Sequence, residues 1–193
     1  IIRNMKKLEL VYNKILEEAI EKKNYRLTQK ALSKELKISL STVNYALKPL
    51  RNMSAIKINL KNFNIINPKK ILYYWASIRN IEKDIIYKTR IDKDVREIEK
   101  LMPNSVIFTA YSFYKFKFKD APADYSEVYV YGDKEEIKKR FEESKGIPNL
   151  FVLKKDINEL TLANLFVDLW NLKEWYAKDY LDALERRLNG ILA

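Results

Sequence analysis

The chain has 193 residues, 47% of them apolar and 33% charged, and 37 Lys/Arg against 26 Asp/Glu give it a net charge of +11. That length suits one large domain or two small ones, and no stretch has the composition of a disordered segment. Cysteine and histidine are both absent, which removes disulfides, thiolate metal sites, iron–sulfur clusters, thiol nucleophiles and the commonest general base.

Only Gly132, Gly146 and Gly190 are available for tight phosphate-cradling turns, so neither a Walker loop nor a dinucleotide fingerprint can be assembled. No uncharged apolar run reaches the roughly 18–20 residues of a membrane span, and no basic-then-apolar leader opens the chain. The expected location is the cytoplasm, with no membrane partner, no cofactor and no metal.

The placement of charge says more than its sum. Residues 1–80 hold 17 Lys/Arg and 5 Asp/Glu, whereas residues 81–193 hold 20 and 21. From Leu36 to Ile81 there is no acidic residue at all. A basic segment beside a neutral one is the footprint of a polyanion-binding module joined to a second domain. We divide the chain at 1–82 and 83–193.

Residues 6–23 read as an amphipathic helix, with Leu8, Val11, Tyr12, Ile15, Leu16, Ala19 and Ile20 at steps of three and four. Thr28 is placed to cap a second helix that buries Ala31, Leu32 and Leu36. A turn at Lys37-Ile38 follows. Ser39 caps a third helix with Val43, Ala46, Leu47 and Leu50 inward. The spacing of Ala31, Leu36, Ile38, Val43 and Leu47 fits a helix-turn-helix: a small residue for close approach, an apolar plug in the turn, and two seats for the recognition helix. The run ALSKELKISLSTVNYALKPL resembles the helix-turn-helix of bacterial and archaeal winged-helix regulators.

The same period puts Ser41, Thr42, Asn44, Tyr45, Lys48 and Arg51 on the outer face of the third helix. Short donors and acceptors near a recognition helix's N-terminus reach base edges, and cations flank phosphates. Asn44 carries the amide for a bidentate contact to adenine. Thr28 and Ser39, at the two helix starts, join this candidate set. Pro49 either kinks the helix or ends it near Lys48. Segments Ala55–Asn59 and Phe63–Ile66, joined by Leu60-Lys61-Asn62, read as a small β wing. Lys57, Lys61 and Asn62 are its candidate phosphate or minor-groove contacts. Asn67-Pro68 then opens a helix over 68–80 carrying Ile71, Leu72, Trp75 and Ile78, with Tyr73 and Tyr74 as core or interface.

Beyond residue 82 strands and helices mix. Ile85–Thr89, Val106–Tyr111, Phe113–Phe118, Ser126–Tyr131 and Leu150–Leu153 read as strands. The alternation of FYKFKFK suggests a strand with one wet face. Asp92 or Asp94 caps a helix to Met102, and Asp133 with Glu136 forms a capping-box-like pair opening a helix to Ser144. Thr161 caps an apolar helix to Leu172. A last helix, 174–188, stops at Gly190. Phe166, Leu169, Trp170, Trp175, Tyr176 and Tyr180 read as core aromatics and apolars, and Asp168 and Asp179 as caps or as ion-pair partners of Lys173 and Lys178. The fold class is α+β: an N-terminal winged helix-turn-helix followed by a mixed α/β domain.

The runs MPNSVIFTAYSFYKFKF, DAPADYSEVYVYG, NLFVLKKD and LANLFVDLWNLKEWYAKDYLDALE resemble the C-terminal domain of AbiEi-type antitoxins, the transcriptional regulators of type IV toxin–antitoxin systems, and are most similar to archaeal members. The resemblance spans nearly all of Ile85 to Leu188, most specifically in VDLWNLKEWYAKDYLDALE. It implies that the N-terminal domain binds DNA upstream of its own operon and represses it. It also implies that the C-terminal domain helps counter a nucleotidyltransferase-like toxin.

No catalytic constellation competes with this. Asp92-Lys93-Asp94 has the spacing of paired metal ligands, but helix capping accounts for both carboxylates. A nucleotidyltransferase needs a Gly-Ser helix start, which is lacking, and Glu127-Val128-Tyr129 lacks a nuclease lysine. We expect a DNA-binding regulator rather than an enzyme, acting on double-stranded DNA as a homodimer on a two-fold site. The charge of residues 36–81 suits any polyanion, so RNA binding stays open, as does a protein-interaction module with a non-specific basic domain.

Overall fold

In the computed structural model the backbone is described for residues 2–192 and side chains for residues 7–190. In chain order the elements are α1 (Ile2–Ile20), β1 (Arg26–Leu27), α2 (Gln29–Glu35), α3 (Leu40–Asn52), β2 (Ile56–Ile58), β3 (Phe63–Ile65) and α4 (Pro68–Ile78). After a 3-10 turn at Ile81–Asp84 come β4 (Ile85–Thr89), α5 (Val95–Leu101), β5 (Ile107–Phe108), α6 (Ala110–Phe118), β6 (Val128–Gly132), α7 (Lys134–Arg140), β7 (Leu150–Lys154), α8 (Leu162–Trp170) and α9 (Ala177–Leu192). The architecture is α+β, with an N-terminal winged helix-turn-helix and a mixed second part. No described helix is long and apolar enough to cross a membrane.

The chain divides into two compact units. The first is Ile1–Arg79, Thr161–Val167 and Arg186–Ala193; the second is Asn80–Leu160 and Asp168–Glu185. A single cut between 82 and 83 therefore differs in three stretches of chain, the first being residues 80–82, which belong to the second unit. Thr161–Val167 and Arg186–Ala193 group with the N-terminal segment, which no local pattern announces.

In the first unit, α1 buries Val11, Tyr12, Ile15, Leu16 and Ala19 on the side that meets α3 and α4. Facing residues are Val43, Ala46, Leu47 and Leu50 of α3 and Ile71, Leu72 and Trp75 of α4. Each such Val, Leu or Ile side chain contributes about 1.5–3 kcal/mol by leaving water. The helix starts are capped as their residue types require: Thr28 Oγ1 accepts the Ala31 N–H at 3.0 Å, and Asn67 Oδ1 accepts that of Lys70 at 2.9 Å. Thr161 Oγ1 does the same for Asn164 at 3.0 Å. In α2 the buried stripe runs through Leu32, with Leu36 partly covered, and Ala31 is exposed. The close-approach role expected of Ala31 is therefore wrong: it lies about 100° round the helix from Leu32, on the side shared with exposed Glu35. Lys37 adopts φ 52°, the left-handed conformation that ends a helix, and Ser33 Oγ closes the turn on the Ile38 carbonyl at 2.7 Å. The α3 helix runs through Pro49 to Asn52 rather than ending at Lys48. A three-stranded antiparallel sheet, β1-β3-β2, pairs Arg26 with Asn64 and Lys57 with Asn64 across its two ladders. Its first strand has only two residues and no periodicity to betray it.

The second unit is built on a four-stranded sheet ordered β4-β7-β6-β5. Here β6 and β7 run parallel through α7, and the outer pairs are antiparallel. One face packs Tyr87, Val128, Val130, Leu150 and Val152 against Ile98, Ile137 and Phe141 of α5, α7 and its C-cap. The strand expected at Phe113–Phe118 is instead α6, and the preceding strand shrinks to Ile107–Phe108. Ala110 turns the chain with φ 50°. The residues then buried, Tyr111 and Tyr114, sit three apart, packing on Tyr180 at 4.9 and 5.3 Å. Helical burial overrides the two-residue alternation, which merely puts Phe116 and Lys117 in water.

Three further expectations change. Asp168 neither caps a helix nor pairs with Lys173. It is fully buried and accepts the hydroxyls of Thr109 and Tyr131, each at 2.7 Å. Lys173 instead pairs with Glu82. Phe166, Leu169, Tyr176 and Tyr180 are buried, but Trp170, the last residue of α8, and Trp175, in the connection to α9, are exposed by 42% and 80%. Finally, α9 passes through Gly190, where nothing lies within 4 Å of a Cβ position, instead of stopping there.

Candidate nucleic-acid interface

The α3 helix owes its position to its apolar stripe. With Val43, Ala46, Leu47 and Leu50 inside, the period leaves Ser41, Asn44, Tyr45, Lys48 and Arg51 exposed, and Thr42 half-buried. Tyr45 shows 62% of its surface, so a large ring stands on this face without core contacts to hide it.

The first turn is organised by Ser39. Its Oγ accepts the Thr42 N–H at 3.1 Å and lies 2.8 Å from the hydroxyls of both Ser41 and Thr42. Thr28 and Ser39 therefore spend their oxygens on helix N–H groups, and Ser41 and Thr42 present hydroxyls already oriented by Ser39. Around this turn lies a shallow concavity of about 220 Å³. It is shared by Thr28, Gln29 and Lys30 at the start of α2, Leu40 at the start of α3, and Asn59–Asn62 of the wing. Thr28, Lys61 and Asn62 are thus brought to one surface beside the start of the recognition helix. Lys57 stands on β2, and Lys48 and Arg51 on the later turns of α3.

The wing tip is closed by the Asn59 N–H on the Asn62 carbonyl at 2.8 Å. The Asn62 amide is 2.9 Å from that of Asn59, and with its oxygen turned inward it accepts from the Arg26 guanidinium at 2.8 and 3.1 Å. Asn62 therefore holds the wing together. Arg26, Gln29, Lys30 and the fully exposed Leu60, 99% accessible at the tip, join this surface without a sequence pattern that marks them. Arg26 sits on a two-residue strand, too short for any pattern to place it.

The electrostatics follow from where the carboxylates go. Glu9 accepts from Trp75 Nε1 and Arg79, each at 3.0 Å, and Glu21 from the Leu162 N–H at 2.8 Å. Glu17, Glu18 and Glu35 surround the buried Lys14 Nζ at 3.1, 3.2 and 2.6 Å. Burial alone would lower the Lys14 pKa, but its bonds to Glu35, Glu17 and Glu18 outweigh it and hold the ammonium above the usual lysine range. Burial would raise Glu18, yet Lys22, Asn24 and Lys14 bring it down to about 2. All five carboxylates of the first 80 residues are thus engaged elsewhere. Among the described residues Lys48, Arg51, Lys57 and Lys61 have no carboxylate within ion-pair distance, which leaves their charge available to a polyanion.

No curated protein and no solved structure matches the chain. Residues 13–57, from mid-α1 to the first wing strand, match the family described as winged helix-turn-helix DNA-binding. The first unit carries a winged helix-turn-helix of the DNA-binding kind.

Proposed function

We propose that this chain is a sequence-specific, double-stranded-DNA-binding transcriptional regulator that represses its own operon as the antitoxin of a type IV toxin–antitoxin system. The observation that carries the regulator half is the outer face of α3. Ser41, Thr42, Asn44, Tyr45, Lys48 and Arg51 lie beside an acid-free wing, and the match at 13–57 supports a DNA ligand. Asn44 reads a base, Ser41 and Thr42 touch bases or phosphate, and Lys48, Arg51, Lys57 and Lys61 neutralise phosphates. A homodimer places two such faces on a two-fold site. The antitoxin half rests on the resemblance of the C-terminal runs to AbiEi-type antitoxins, with a nucleotidyltransferase-like toxin as the opposing partner. The chain acts by binding, without catalysis.

In vitro transcription from the promoter upstream of its gene tests the regulator half: added protein should repress it and leave an unrelated promoter alone. Equal effects on both promoters would contradict sequence-specific repression. Co-production with a nucleotidyltransferase encoded beside it should restore growth; continued arrest would remove the antitoxin half and leave the other standing.

A further inference from the structure

The sheet of the second unit ends on β4, which has β7 on one side and, among the described residues, no strand on the other. The Thr89 carbonyl points inward, accepting the Asn149 N–H at 3.1 Å. Strand alternation therefore turns the Lys88 amide and carbonyl to the unpaired side. A cleft of about 720 Å³ lies there, lined by Ile85, Ile86, Tyr87 and Lys88 in succession. Successive strand residues face opposite ways, so a cavity touching all four lies along the strand's edge. One wall is formed by Lys134 and Lys138 of α7. The other is Asn171–Glu174 together with Phe151 and Tyr129, whose rings stack at 4.6 Å. Trp175, 80% exposed, adjoins that wall.

The free charge of this trough leans positive. Lys88, Lys134 and Lys138 are exposed and, among the described residues, lack a carboxylate within ion-pair distance. Of the lining acids, Glu82 is held by Lys173, and Glu174 by the hydroxyls of Tyr129 and Tyr111 at 2.6 and 3.0 Å. Those hydroxyls are neutral, so Glu174 keeps its charge, and Glu143 and Glu174 together still leave the three lysines in excess. A second copy of the chain would bring Lys88 against its own equivalent, and the register shift between Ile85 and Tyr87 further spoils regular self-pairing. An acidic strand meets neither the charge obstacle nor the need for symmetry.

We infer that β4 accepts an extended acidic segment of a partner protein as a fifth strand, its main chain bonding at Lys88 and its carboxylates meeting Lys88, Lys134 and Lys138. Main-chain bonds supply affinity and the lysines supply selectivity. This is independent of what the first unit binds.

The test uses the full chain and a fluorescein-labelled eight-residue peptide of alternating Glu and Val, against the same peptide with Lys in place of Glu. The Glu peptide should bind saturably, protect the Lys88 amide from hydrogen exchange, and outcompete the Lys peptide. Lys88→Pro removes one outward N–H, which an edge strand tolerates, and should weaken binding about tenfold, the loss of one good hydrogen bond. The double substitution Lys134→Glu, Lys138→Glu lies outside the strand and should weaken it by at least as much. The inference is overturned by absent saturable binding, by equal binding of both peptides, or by indifference to the charge reversal. Self-association of the chain that Lys88→Pro abolishes would give the edge to a second copy and overturn it too.

Discussion

Ser39 separates two roles that a helix N-terminus combines. Its Oγ holds the Thr42 N–H at 3.1 Å and orients the hydroxyls of Ser41 and Thr42. Replacing it with alanine removes the cap of α3, which costs about 1 kcal/mol; the two neighbouring hydroxyls turn to water at little further cost because the site is exposed. In a chain of this length that lowers Tm by about 2–4 °C. Ser39→Asp keeps a capping oxygen and adds a charge that suits the helix dipole, so its Tm should equal or exceed that of the wild type. Against DNA the order reverses. Ser39→Asp sets a carboxylate beside the phosphates and should lose about tenfold or more in affinity at low salt, whereas Ser39→Ala should lose less. Melting curves and fluorescence anisotropy on the same preparations decide it. An unchanged Tm in Ser39→Ala would refute the capping argument. Wild-type binding by Ser39→Asp would place the start of α3 away from the nucleic acid.

The other predictions concern the same face, the buried acceptor and the ion cluster. Asn44→Ala should cost about 1–3 kcal/mol and relax preference at one base position in a competition series; unchanged preference would deny it a base contact. Lys57→Ala should weaken binding to every duplex alike and reduce the salt slope by about one, and a loss confined to one sequence would contradict a phosphate role. Asp168→Ala leaves the Thr109 and Tyr131 hydroxyls without their buried acceptor at 2.7 Å and should cost about 3 kcal/mol in urea unfolding, with a loss under about 1 kcal/mol refuting the network. Glu18 has a depressed pKa, so its contribution is present above the ordinary carboxylate pKa of 4.5 and drains away as pH falls toward about 2. Glu18→Gln should therefore flatten the stability–pH curve in that window, and an unaltered slope would count against the cluster.

What could be read from the chain divides along physical lines. Caps were legible because Thr28, Ser39, Asn67, Asp94 and Asp133 need only a neighbouring N–H, which sequence supplies. The buried side of α3 was legible because four apolar residues repeat at helical spacing. The second half of the Asp133–Glu136 box was not, since the Glu136 carboxylate turns to Ser105 at 2.5 Å. Arg26 has no such signal, because two residues make no period. The run of α6 reads as a strand because its aromatic–lysine alternation imitates one until Tyr111 and Tyr114 find Tyr180. Asp168 and Trp175 exchange the places their polarity suggests, inside and outside: hydroxyl donors from β6 and from Thr109 lie around one, and the other, in the connection to α9, is 80% exposed.

Whether the exposed face of α3 reads duplex DNA is decided by the affinity of the purified chain for the duplex upstream of its own gene and for a scrambled duplex of equal length, across a salt series. Both affinities should fall with salt, as phosphate contacts require, while a preference for the upstream sequence persists. Equal affinities at every salt concentration would contradict that reading and reduce the first unit to a non-specific basic clamp.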